Sequence, residues 1–425
     1  MLGTYLEEGS SRFPNEIFAI IIDNVADDHP SLRNAALVCK NFAALAQPCI
    51  FQIIRLPGNC RVDNQHFPMV RERRLVFKNL KIARLVQQFH FTSLSEDDSL
   101  HELKDAASTL GSMPSLTALD ILLPIDCHYR AIAAATPRGT LRFLYIDSTY
   151  NLDATGLTYF AEMLMSLAVL EVLAVSRPHL GSETRGIVLP ISLKIAAFMA
   201  ISDQFLHAFA LGLELSHPPS LRTFFLSPRS SEFNQGCLAL LRKLHIDAEV
   251  ILDGLSCLSG LALKELRAPS IVCFCRQSRN FAHLLSLFTA TLPEPIHDIT
   301  IDVVAQRVEH VHPTDYDQAW TDLDSGLMKR HGLGLLTRVC FRYTKRDFSI
   351  HLGPFSARQE EDEVEDRTIL DHIERLLPKS KRKGFLEQSW RNCTCSPPLI
   401  RIHPGMQLSR LAIMQIISFG SITLN

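Results

Sequence analysis

Several stretches of this chain come close to motifs that do chemistry, and each lacks a residue its chemistry needs. Gly332-Leu333-Gly334-Leu335-Leu336-Thr337 lacks the third glycine of a dinucleotide loop, and no Gly-Lys-Ser/Thr phosphate loop occurs. Gly254-Leu255-Ser256-Cys257-Leu258 lacks the closing glycine of a nucleophile elbow. His101-Glu102-Leu103-Lys104-Asp105 has Asp where a metalloprotease helix needs its second His. Cys273-x-Cys275 and Cys393-x-Cys395, the latter upstream of His403, have one residue between thiols, whereas zinc pairs usually have two to four. The expectation is no catalytic residue, no metal and no cofactor. An α/β enzyme whose site assembles from distant residues is the alternative, because such a site leaves no local signature.

The elements that would position any site have a globular composition. Of 425 residues, 47% are hydrophobic and 21% charged, enough for roughly two or three domains with a large core. With 43 basic and 45 acidic side chains the net charge is −2, so the usual electrostatic signature of a nucleic-acid binder is absent. Neither nucleic acid nor membrane is an expected partner. Eleven cysteines follow no regular framework. Met1 to Phe13 carries Glu7 and Glu8 without an apolar run, unlike a secretory signal. A reducing cytoplasmic or nuclear compartment follows, in which the sequon at Asn392 stays unmodified. The apolar stretch Ile187 to Ile201 holds Pro190 and Lys194 and is too short to span a bilayer, so it reads as a buried element.

Helical spacing organises the first segment. Pro14 and Glu16 suit a first helical turn, and Ile17, Ile20, Ile21 and Val25 recur at helical spacing behind them. After Asp27-Asp28-His29-Pro30, Ser31 is placed as the N-cap of a second helix from Leu32 to about Lys40. A third short run, Phe42 to Ala46, ends near Pro48. Some 40 residues bury too little surface to fold stably alone. Yet Ile20, Ile21 and Ile22 stand in a row, so apolar surface is left over that requires a partner.

Phe13-Pro14-Asn15-Glu16-Ile17, then Ile21-Ile22, Leu32 and Ala36-Leu37-Val38-Cys39-Lys40-Asn41-Phe42 resembles an F-box. Phe13 stands for the family's usual Leu and Phe42 for its usual Trp. The resemblance implies docking to the small Skp-type adaptor of SCF ubiquitin ligases, and through it to a cullin. The positions that match the motif are Phe13, Pro14, Ile17, Ile21, Leu32, Leu37, Val38, Cys39 and Phe42.

From residue 80 onward an apolar-x-x-apolar-x-apolar pattern returns. It starts at Val86, Leu116, Leu141, Leu167, Leu221, Leu241, Leu263, Ile296 and Leu336, at intervals of 30, 25, 26, 54, 20, 22, 33 and 40 residues. The longest interval suggests a degenerate copy around Ile191 to Ile195. Amphipathic helices are expected between copies, marked by Leu100, Leu103, Ala107 and Leu110, by Leu157, Phe160, Ala161 and Leu164, and by Tyr316, Trp320, Leu323 and Leu327. The pattern resembles leucine-rich repeats, whose period is 20–29 residues, without the family's turn asparagine. The predicted fold is mixed α/β: an N-terminal three-helix module, an irregular α/β solenoid and a C-terminal cap, with an irregular α/β domain as the alternative. The expected boundaries are a tail at 1–12, an F-box at 13–56, a linker at 57–80, a recognition domain at 81–345 and a cap with an acidic loop at 346–425.

Alternation along a strand sends the residue between the last two apolar positions outward. Those residues are His90, Asp120, Tyr145, Glu171, Phe225, His245, Arg267, Thr300 and Cys340. Mixed charges, aromatics and a thiol suit recognition of a protein target, of unknown identity, better than a phosphate track. Outside the repeats, Arg71, Arg73, Arg74, Lys78, Lys81 and Arg84 form a basic cluster. Gln359 to Asp366 holds six acidic residues, and Lys379 to Lys383 holds four basic ones. These read as solvated faces, with nuclear import as the alternative for the last.

Overall fold

A computed structural model describes residues 15–56, 80–92, 108–122, 126–136, 139–148, 151–180, 185–216, 220–228, 239–240, 243, 249–253, 270–276, 296–305, 317–345 and 375–390, except positions 27 and 109. The protein is a mixed α/β chain built on parallel strands. It divides into two compact units, Met1–Leu144 and Tyr145–Asn425.

The first unit begins with three helices, α1 (Asn15–Asn24), α2 (His29–Val38) and α3 (Lys40–Phe51). Asp28, not Ser31, caps α2: its carboxylate accepts from both the backbone N–H and the hydroxyl of Ser31. A carboxylate at that position also complements the helix dipole, which a serine hydroxyl cannot do. Cys39 is extended (φ −160°, ψ 170°) and breaks α2 from α3. Helix α3 does not stop at Pro48 but carries it through to Phe51. It packs against both α1 and α2. Ile22, Leu32 and Ala46 form the buried centre, with Val25, Ala35, Ala36, Phe42, Leu45, Cys49 and Ile50 around them.

Strands β1 (Ile53–Leu56), β2 (Gln88–Thr92) and β3 (Ala118–Leu122) then pair in parallel, with α4 (Leu80–Ala83) before β2 and α5 (Asp126–Ala135) after β3. Before the strands, the Gln52 carbonyl accepts from the N–H groups of Gln87 and Gln88, and the Gln52 side-chain amide donates to that of Gln87 at 3.0 Å. The division between units falls within β4 (Phe143–Asp147).

In the second unit, β6 (Val172–Ser176), β8 (Ile195–Ile201), β9 (Thr223–Pro228), β10 (Glu249–Asp253), β11 (Ser270–Arg276), β12 (Asp298–Ala305), β13 (Arg338–Lys345) and β14 (Leu386–Trp390) pair in parallel in that order. The short β5 (Asn151–Leu152) and β7 (His179–Leu180) pair separately. Helices α6 (Ala154–Ser166), α7 (Asp203–Leu215), α8 (Asp317–Gly332) and α9 (Pro378–Arg382) complete the described elements. The helix stripes expected through Leu157 and Trp320 fall on α6 and α8, where Leu157, Phe160, Leu164, Trp320, Leu323 and Leu327 are buried. Of the stripe expected through Leu100, the residues Leu100, Leu103 and Ala107 lie outside the described residues, and Leu110 is buried.

Register places Leu173, Ala196, Phe224, Val250, Ile271, Ile299, Val339 and Leu386 in one row across the sheet. The successive steps are 23, 28, 26, 21, 28, 40 and 47 residues. This corrects the sequence frame. The copy expected at Leu167 starts at Leu170, Leu167 being the C-cap of α6. The degenerate copy expected around Ile191 to Ile195 starts at Leu193. The copies starting at Leu241 and Leu263 lie outside the described residues, and the paired strands in that part of the sheet are β10 and β11.

One face of the row packs on helices. Phe198 meets Phe209 of α7 at 4.3 Å and Phe224 at 5.4 Å, and Phe205 links Phe209 to Phe160 of α6. A Cβ at Gly212 of α7 would run into the carbonyl oxygen of Ile187, so only glycine lets this helix lie so close to the backbone. Ile187, Leu189 and Leu193 are buried and β8 follows them, so most of the apolar stretch from Ile187 is interior, as expected, with Ile191 exposed. Among the described residues, no helix is long and apolar enough to cross a membrane.

Candidate functional site

The N-terminal helices bury one apolar stripe and expose another. Phe18 and Ile22 on α1 and Val25 just after it turn inward at spacings of four and three, and Phe18 sits edge-on to Phe42 at 4.7 Å. Ile17, Ile20 and Ile21 occupy the remaining arc and are 43%, 56% and 44% exposed. On α2, Leu32 is fully buried, whereas Leu37 and Val38 in the last turn are 85% and 69% exposed. Cys39 follows them, exposed and reduced.

Of the nine large apolar side chains exposed among the described residues, five therefore lie between Ile17 and Val38. Fully burying one aliphatic side chain is worth about 1.5–3 kcal/mol. A partner covering this surface would gain a substantial part of that at each position. The arrangement offers apolar contact area.

Ile17, Ile21, Leu37, Val38 and Cys39, the expected adaptor-facing positions, are exposed. Leu32 is not, because it belongs to the module's own core. Phe42 is half-buried against Phe18 and serves that core as well. Phe13 and Pro14 lie outside the described residues. Ile20 is exposed as well and was not among the expected positions; of the three consecutive isoleucines, Ile22 alone reaches the core.

The row expected to face outward is divided. His90 and Asp120 are register partners on β2 and β3, and His90 Nδ1 lies 2.7 Å from Asp120 Oδ2. Phe225, Thr300 and Cys340 share one row of the second unit with Ala174, Ala197, Ile251, Val272 and Glu387. Yet Asp120, Tyr145, Phe225 and Cys340 are buried, which corrects the expectation that they face solvent. Ala174 and Ala197, beside Phe225, are buried too, so the strands are covered on both faces there, as interior parallel strands commonly are. Glu171 precedes β6 and sits off the row, with its carboxylate 3.2 Å from Lys194 Nζ. His245 and Arg267 lie outside the described residues.

Sequence reasoning also passed over a polar cluster at the C-terminal end of β6. Arg177 adopts φ 57° and donates two hydrogen bonds, 2.8 and 2.7 Å, to the buried carboxylate of Asp147. The bond to Asp147 holds the guanidinium pKa above its usual value, while burial works against it. This pair stitches strand ends together and presents no convergent acid and base.

Cys273 and Cys275 lie two residues apart on β11, and Cys393, Cys395 and His403 lie outside the described residues. No group of three or more His, Cys, Asp or Glu side chains among the described residues could hold a metal ion. Compared with known proteins, the chain matches no family model and no curated protein.

Proposed function

We propose that the chain is the substrate-recognition subunit of an SCF-type ubiquitin ligase, with α1–α3 as an F-box that docks a Skp-type adaptor. The observation that carries this reading is the exposed set Ile17, Ile20, Ile21, Leu37 and Val38 on helices whose other face is packed. All but Ile20 are positions at which the sequence resembles the F-box. The parallel β/α region then serves as a leucine-rich-repeat-like recognition domain. In its favour are row steps of 21 to 28 residues from β6 through β12 and helices α6 and α7 packed on one face.

The mechanism is proximity. A receptor holding its target beside a charged conjugating enzyme raises the effective concentration of the target's lysines, so the receptor itself forms and breaks no bond. Purification of the tagged chain from its source cells tests the reading. Adaptor and cullin are expected together. Adaptor without cullin would turn the chain into a scaffold without ubiquitin transfer, and neither protein would end the proposal.

A further inference from the structure

Among the described residues, the exposed large apolar side chains of the second unit, Met165, Ile191, Leu215 and Leu333, stand singly on different elements and turns, as surface apolar residues ordinarily do. Ile20 does not stand alone. It follows Ile17 by three residues on α1 and precedes Ile21, so the three exposed side chains form one patch. Within that patch they differ. Successive residues advance about 100° around a helix, which puts Ile21 between Ile17 and Phe18. Ile17 and Ile21 therefore border the stripe that Phe18 and Ile22 turn into the core, and their exposure of 43% and 44% reflects that border. Ile20 lies on the other side of Ile17, about 160° from both Phe18 and Ile22, and is the most exposed of the three at 56%. It is not among the residues packed on the module's core. One turn further on, Asn24 donates its side-chain amide to the Ile20 carbonyl at 2.9 Å, which ties the next position on this face to the backbone of α1. A β-branched side chain in water also supports a helix less well than Ala or Lys would. Neither helix propensity nor the module's packing accounts for isoleucine here.

We propose that Ile20 is a further contact residue of the docking face, outside the positions that resemble the F-box, and that it sets what the adaptor must offer there. The inference rests on the docking reading above. The adaptor's groove is then aliphatic across three isoleucines of α1 and not two. An adaptor with a charged or amide group opposite Ile20 is discriminated against, because that group would lose water without gaining a hydrogen bond.

The test is calorimetric titration of a purified Skp-type adaptor into the full chain and into the single variants Ile20→Lys, Ile20→Ala and Met165→Lys. Lys and Ala are both stronger helix formers than Ile, so the Ile20 variants are expected to keep the wild-type melting curve. Affinity is expected to fall at least about tenfold in Ile20→Lys and about fivefold in Ile20→Ala, and to stay at the wild-type value in Met165→Lys. Should Ile20→Lys unfold, Ile20→Ala is the one read. Wild-type affinity in the folded Ile20 variants, or an equal loss in Met165→Lys, would overturn the inference and leave the F-box reading in place. Absence of saturable binding by the wild type would overturn both.

Discussion

Leu32 and Val38 lie six residues apart on one helix, one fully buried and the other largely exposed, and the same split runs through α1. Strands β6, β8 and β9 of the second unit behave in the opposite way, burying Leu173, Ala196 and Phe224 on one face and Ala174, Ala197 and Phe225 on the other. The helices contain more apolar surface than their own packing can use; the strands use nearly all of theirs. Apolar residues in the first region are therefore informative about partners, and those in the second about stability.

Substitutions that exchange the two behaviours sharpen this contrast. Phe198→Ala should be the most damaging, at about 3–5 kcal/mol, because the ring packs on Phe209 and Phe224 and its loss leaves a cavity. Thermal unfolding followed by circular dichroism measures it, and a loss below about 1 kcal/mol would break the claim that this core is tightly filled. Gly212→Ala should cost about 2–3 kcal/mol in the same assay, since the new methyl must displace the Ile187 backbone. Asp324→Ala removes three hydrogen bonds to α9 and should cost about 2 kcal/mol. Amide exchange at Lys379 and Ser380 is the local readout, expected to accelerate while that of β9 is unchanged. Smallest is the stability effect of Val38→Asp, within about 0.5 kcal/mol because its side chain is already largely in water.

Much of this contrast was legible in the sequence where periodicity was unambiguous. Helices α1, α2, α6 and α8 follow their apolar stripes, and the frames at Val86, Leu116, Ile296 and Leu336 match the strand registers. The frame slipped at Leu167 because Leu167, Leu170 and Leu173 are equally spaced, so two frames satisfy the same pattern; what decides is that Leu167 ends α6. At β8 the frame was hidden because Ala196 fills the central position, where small side chains give little apolar signal. Burial of Asp120, Tyr145, Phe225 and Cys340 was not readable either, since alternation says which face a residue takes and not what covers that face. For the three N-terminal helices, the sequence identified surplus apolar surface but could not sort it: only packing separates Leu32 and Phe42, which hold the module together, from Ile20, which is exposed.

The most direct measurement is calorimetric titration of a purified Skp-type adaptor into the wild-type chain and into the Ile17→Asp/Val38→Asp double variant, each checked for its fold. The account predicts saturable binding by the wild type and at least a hundredfold weaker binding by the folded variant, because two carboxylates would have to lose water in an apolar interface. Equal affinity in the two chains would contradict it and return the exposed isoleucines to ordinary surface.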